Sequence, residues 1–182
     1  MNPSLQSAFE SMEQKRSTLL NHLASLPHES LNHSPGPGQW SPLEVVNHLV
    51  ESEGLSRAYI QKKLKYRTRI PKTGLPHAIR TKFGLMYMRG SIKMKAPSYM
   101  KKMSTEMDFQ TLRNKWDEGR NELEGILAAF PEELMKNAVL KHPLGGRINI
   151  SQTMQFLEAH FDRHHKQIMK LVTDGASTKP QT

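Results

Sequence analysis

Apolar residues recur three and four positions apart along four long stretches of this chain, and none of its stretches alternates like a half-buried strand. Such spacing gathers apolar side chains on one face of a helix. The first stretch, about Ser4 to Leu26, places Leu5, Phe9, Met12, Leu19, Leu20, Leu23 and Leu26 on one side, and Pro27 ends it. A loop to Trp40 follows, in which Pro35-Gly36-Pro37-Gly38 cannot continue a helix. The second stretch has the sharpest start. Ser41 suits an N-cap, Pro42 the first helical position, and Glu44 completes a capping box, with Trp40 placed to staple onto the first turn. Val45, His48, Leu49, Ser52, Ser56 and Tyr59 then share a stripe, and the helix is expected to end near Lys65.

The third helix is expected from Asp108, as N-cap, to Phe130, with Phe109, Leu112, Trp116, Leu123, Ile126 and Leu127 on its apolar face and Gly119 as a weak point. A short turn and loop cover Pro131 to Leu140, and His142-Pro143-Leu144-Gly145-Gly146 is a turn cluster. The fourth helix begins at the Asn149 cap, with Gln152 three residues on, and is expected to reach about Val172. The reading is therefore all-α: one four-helix-bundle domain over residues 1–173, a long basic crossover between the second and third helices, and a flexible polar tail over residues 174–182.

The crossover is where the charge lies. Between Gln61 and Lys102 there are 13 Lys or Arg and no Asp or Glu, while the rest of the chain holds 13 basic and 17 acidic residues. The formal charge of +9 is thus local, and one surface can attract anions. This segment has too few apolar residues for a core of its own; a short helix around Ile79 to Met88 is the most it suggests. The chain has no Cys, which excludes disulfides, thiolate metal sites and Cys nucleophiles. No apolar run approaches the roughly 18 residues of a membrane span, and Met1 to Glu10 lacks a signal-peptide layout. A cytoplasmic protein without membrane association is expected.

Nine histidines are the remaining chemistry-bearing residues. His160 and His164 are four apart, so both imidazoles project from one helical face, one turn apart, where they can chelate one ion. Ile150, Met154, Leu157, Ile168 and Leu171 lie on the same stripe, so that face is expected to point inward. His48, flanked by Val45 and Leu49, faces inward from the second helix. Three buried imidazoles each need a partner. A metal supplies it for all three and keeps coordination positions open, as in catalytic sites; core histidines bonded to Ser52 or Gln167 are the plainer alternative. His165 is expected on the surface. His22 and His142 are candidate cavity walls, and Glu51, one turn after His48, is a candidate second partner or general base. No Glu-x-x-His or His-Glu-x-x-His occurs, which sets aside a carboxylate-bridged di-iron site.

Trp40-Ser41-Pro42-Leu43-Glu44-Val45-Val46-Asn47-His48-Leu49 resembles the second-helix signature of the DinB/YfiT-like superfamily. His160-Phe161-Asp162-Arg163-His164-His165-Lys166-Gln167-Ile168 resembles its closing signature, and the turn His142-Pro143-Leu144-Gly145 is similar to the family's as well. The resemblance spans most of the chain and leaves the basic crossover unmatched. It implies a four-helix bundle of unusual connection order, a metal held on His48, His160 and His164, metal-dependent hydrolysis or thiol-dependent S-transfer with a low-molecular-weight thiol, and homodimers.

The expected function is accordingly a metal-dependent enzyme acting on a small molecule, with zinc or nickel, or iron, activating water or a thiol. Arg89, Lys93 and Lys95 of the crossover are the expected contacts for an anionic substrate. Two alternatives stand beside it. One is a bundle that binds a metal or small ligand without turnover. The other is a nucleic-acid or anionic-surface binder using the basic 61–102 segment, in which Tyr66, Phe83, Tyr87 and Tyr99 could stack on bases; the net-acidic remainder and the lack of a nucleic-acid motif weigh against it.

Overall fold

The structure, a computed structural model, describes residues 1–66, 70–74, 84, 108–142 and 146–177. Its helices are α1 (Pro3–Ala24), α2 (His28–Asn32), α3 (Pro42–Lys65), α4 (Phe109–Ala128) and α5 (Ile150–Ser177), with a 3-10 turn at Glu132–Leu134 and two strands, β1 (Leu140–His142) and β2 (Gly146–Ile148). The fold is all-α in class, as the spacing predicts. Arg89, Lys93, Lys95, Phe83, Tyr87, Tyr99 and the suggested helix at Ile79 to Met88 lie outside the described residues.

The helix starts follow their caps. Glu44 N donates to Ser41 Oγ at 3.2 Å and Ser41 N to Glu44 Oε2 at 2.7 Å, which closes the capping box of α3. Gln152 N donates to Asn149 Oδ1 at 2.9 Å, and Asn149 N to Gln152 Oε1 at 3.0 Å, which does the same for α5. Asp108 caps α4 through Thr111 N. Each satisfies N–H groups that a helix start otherwise leaves without partners.

α3 packs against α4 and α5, and α1 packs against the same two, so α1 and α3 face each other across the bundle. The side-chain pairs give the directions. Between α3 and α4 they rise together, Glu51 with Lys115 and Arg57 with Glu122, so these helices are parallel. Parallel neighbours cannot be joined by a tight turn. Between the end of α3 at Lys65 and the start of α4 at Phe109 the chain must return along a helix of 20 residues, about 30 Å. The start of that connection is pinned. Thr73 N donates to Lys136 O and Ala138 N to Pro71 O, both at 2.8 Å, and Asn137 Nδ2 donates to Ile70 O at 2.7 Å.

Among the described residues the interior has two large apolar regions and a small one of Leu140, Ile148, Phe156 and Ala159. One holds Leu19, Leu23, Leu31, Leu43, Val46, Leu49, Trp116, Phe161 and Ile168. The other holds Leu5, Phe9, Met12, Ile60, Leu123, Leu127, Ile150, Met154 and Leu157. A charged layer reaches the interior beside Trp116. Glu53 and Arg120, each 2% exposed, pair at 2.8 Å, and Trp116 Nε1 donates to Glu53 Oε2 at 3.0 Å. Arg16 pairs with Glu13 and Asp117, and Arg120 Nη1 lies 3.2 Å from Glu13 Oε1. The guanidinium carbons of Arg16 and Arg120 lie 5.8 and 6.0 Å from the Trp116 ring centroid.

Four local features differ from the expectations. The Pro27–Trp40 stretch contains the five-residue α2, anchored by one core residue, Leu31. The turn cluster carries a hairpin with Leu140 opposite Ile148 and His142 opposite Gly146. Three residues per strand are too few to show alternation, and Gly146, at φ 70°, takes a left-handed conformation that suits glycine. α5 runs on to Ser177, past the expected end near Val172; Thr173 Oγ1 bonds back to Met169 O at 2.9 Å. Gly119 is a contact point as well as a weak one. It is buried, and a Cβ there would sit 2.6 Å from Arg57 Nη1.

Candidate metal centre

His48 lies in the second turn of α3, between Val45 and Leu49, which are fully buried. The capping box fixes where that turn begins, and so the angle at which His48 leaves the helix. His160 and His164 lie one turn apart on α5, on the face that carries buried Leu157, Phe161 and Ile168. Packing of α3 on α5 brings the three rings together. His48 Nε2 is 3.1 Å from His160 Nε2. The ring centroids are 5.0 Å apart for His48 and His160, 4.7 Å for His48 and His164, and 4.6 Å for His160 and His164, all edge to face. One nitrogen from each ring falls within 4.8 Å of the others. Among the described residues this is the group of potential ligands that could hold a metal ion, and it contains no carboxylate.

Burial sets the charge state. His164, 9% exposed, has its pKa lowered to about 4, first by burial and then by neighbouring His48, with Gln167 acting in the opposite sense. His48 is lowered by burial. These rings are therefore neutral near pH 7, the form that ligates. The donor set fits a divalent metal in two further ways. Zinc–imidazole bonds of about 2.0–2.1 Å place ligating nitrogens about 3.3 Å apart, close to the one nitrogen pair at 3.1 Å. And two neutral imidazoles with Nε2 atoms that close share one proton, an arrangement that a cation replaces with two bonds.

The surroundings of the rings differ. Trp40 lies against His48, centroids 5.3 Å apart, and His48 Nδ1 is buried there without a hydrogen bond. Phe156 stacks on His160 at 6.5 Å. His164 Nδ1 lies 3.0 Å from Gln167 Oε1. Trp40 figured in the sequence only as a staple and Phe156 not at all, yet Phe156 is four residues before His160 on the same helical face, a spacing that could have found it.

Other candidates fall elsewhere. Glu51 pairs with Lys115 of α4 and is about half exposed. Asp162 pairs with Lys15 of α1. His165, expected on the surface, is half-buried: its ring stacks on Phe161 at 5.9 Å, and burial lowers its pKa. His22 is exposed near the end of α1. The backbone of His142 ends β1, and its side chain lies outside the described residues.

Comparison with known proteins identifies the family of the chain. The chain is 28% identical over 151 residues to an uncharacterized protein, YuaE, of Bacillus subtilis (strain 168), covering 83% of this chain and 88% of that protein. No solved structure gives a significant match. The family model of the DinB superfamily matches residues 11–168, a span that takes in α3 and α4 whole, most of α1 and α5 and all three clustered histidines, and the chain belongs to that superfamily.

Proposed function

We propose that this chain is a metal-dependent enzyme that holds one divalent ion on His48, His160 and His164. The observation that carries the reading is the convergence of three inward imidazoles from two helices with no carboxylate among them. Zinc and nickel suit such a donor set, and iron also accepts it. When bound, the ion supplies a Lewis acid that activates water or a thiol. Hydrolysis and thiol-dependent S-transfer share that requirement, and both belong to this proposal. A low-molecular-weight thiol is the cosubstrate in the second case.

The chain's own residues have separate tasks. Burial keeps His48 and His164 neutral, and Trp40 and Phe156 shield the outer faces of His48 and His160 from water. Arg89, Lys93 and Lys95 of the crossover receive the anionic part of a small-molecule substrate or the carboxylates of the thiol. Glu51 has a standing partner in Lys115, so its use as a general base requires that ion pair to open. The working form is a cytoplasmic homodimer. Among the described residues no helix is long and apolar enough to cross a membrane.

A second reading, a bundle that binds metal without turnover, is favoured by the absence of a carboxylate from the described cluster. Metal content separates both readings from simple core packing. Purified without a His tag, the protein is expected to carry about one metal per chain, and His164→Ala to carry none. Equal metal in both proteins, or none in either after incubation with zinc or nickel, would remove the site. Turnover of esters, amides or thiol conjugates by the loaded protein then decides between the two readings.

A further inference from the structure

A neutral imidazole has one N–H and one bare nitrogen, and only the bare nitrogen can bind a metal. Which nitrogen of a buried histidine is bare depends on what the other one touches. In this cluster the outer nitrogens are treated unequally. His48 Nδ1 has no hydrogen bond. His164 Nδ1 lies 3.0 Å from Gln167 Oε1. An amide oxygen accepts and never donates, so the nitrogen facing it carries the proton and Nε2 is left bare.

Gln167 is three residues after His164 and exposed, free to turn into water, yet its amide oxygen lies on the ring. His164 is also the most buried ring of the three, so its tautomer is least open to exchange with solvent. We propose that Gln167 is a positioning residue: its amide oxygen takes the Nδ1–H of His164 and fixes the tautomer whose bare Nε2 serves the cluster with His48 and His160. The use of that tautomer rests on the metal-site reading. The tautomer itself is a property of the metal-free protein and is measured without metal. A neutral amide orients the ring without adding negative charge, unlike the carboxylate that often holds a ligating histidine.

The experiment compares wild type, Gln167→Leu and Gln167→Glu. Ring nitrogens of the metal-free proteins, labelled with 13C and 15N at histidine, are read by NMR; the His164 signals are assigned by their loss in His164→Ala. Zinc affinity is then measured by competition with a chromophoric chelator. His164 is expected as the Nδ1–H form in wild type and in Gln167→Glu, and shifted towards the Nε2–H form in Gln167→Leu. Zinc affinity is expected to fall about 10- to 100-fold in Gln167→Leu and to equal or exceed wild type in Gln167→Glu. Because Gln167 is exposed, metal-free Gln167→Leu should melt like wild type, so its loss of affinity is not a folding effect.

An Nε2–H form in wild type, or an unchanged tautomer in Gln167→Leu, overturns the proposal even where zinc binds. If wild type takes up no zinc while Gln167→Leu still switches tautomer, the positioning role stands and the metal-site reading falls.

Discussion

Among the described residues, two clusters of inward polar groups, the histidines between α3 and α5 and the charged layer that joins α1, α3 and α4, solve the same problem in opposite ways. In the charged layer Glu53 has both oxygens engaged, one by Arg120 and one by Trp116 Nε1. Arg16 and Arg120 flank the indole of Trp116. Each arginine of the group faces two carboxylates, Arg16 those of Glu13 and Asp117 and Arg120 those of Glu13 and Glu53, although Arg120 Nε and Nη1 make no directed hydrogen bond. The group of potential ligands formed by His48, His160 and His164 contains no carboxylate. Its rings meet each other, Trp40, Phe156 and one glutamine oxygen. A polar interior that completes its own pairing belongs to the scaffold. One that stays neutral by shifting pKa values and crowds nitrogen against nitrogen has the form that the proposed metal site requires.

The largest effect should come from breaking the charged layer. Glu53→Ala takes from buried Arg120 the nearer of its two carboxylates and leaves Glu13 at 3.2 Å, which costs about 3 kcal/mol. Replacing both, Glu53→Leu with Arg120→Met, should recover most of that loss, because no uncompensated charge remains. Urea unfolding in the presence of a chelator reads both variants. If the single variant were as stable as wild type, the layer would be solvated, and its contrast with the histidines would vanish.

The cluster should answer to pH instead. The pKa of His164 is about 4 in the folded protein and near 6.5 in the unfolded chain. Between those values the unfolded state binds the extra proton, so metal-free stability is full above pH 6.5 and declines as pH falls through 4. The loss amounts to about 3 kcal/mol for a shift of this size. His164→Leu should flatten that part of the stability–pH curve while Glu53→Ala leaves it in place. An identical slope in wild type and His164→Leu would show that the cluster is open to water.

Zinc sharpens the comparison further. At a hundredfold excess over its dissociation constant it should raise stability by about 2.7 kcal/mol, and by the same amount in Glu53→Ala, because the two regions share no partner. A smaller increment in that variant would reveal coupling through α3. The smallest effect is expected at Gly119. Alanine there displaces the end of the flexible Arg57 side chain and loosens its ion pair with Glu122, which costs under about 1 kcal/mol at a partly exposed site. It gains about 1 kcal/mol of helix propensity. Thermal unfolding of Gly119→Ala should therefore stay within about 1 kcal/mol of wild type.

Much of the site could be read along the chain because its determinants are local. Helical spacing puts His160 and His164 on one face, and the Ser41–Glu44 box sets the start of α3 and so the direction of His48. The direction of a helical face, inward or outward, follows from its apolar neighbours. What spacing could not reveal is who meets whom across the bundle. Glu51, one turn after His48, could be read as a partner of the cluster or as a solvated helix residue, and α3 is turned so that it is half exposed and meets Lys115 of α4. Glu53, Trp116 and Arg120 give no warning of a buried layer, because a charged residue within an apolar stretch reads as a solvated one until its partner on another helix is known. The hairpin at residues 140–148 was hidden for a different reason: three-residue strands are shorter than the period that would reveal them.

By itself, then, the sequence determined the helices, their caps, the absence of cysteine side-chain chemistry and which three histidines face inward, from composition and from residues a few positions apart. Only the tertiary structure decided that α3 and α4 run parallel, that Gly119 makes room for Arg57, that Glu53 pairs with Arg120, and that the imidazoles of α3 and α5 bring one nitrogen each within 4.8 Å of the others. These are contacts between residues tens of positions apart, set by how whole helices pack, and no local pattern carries them.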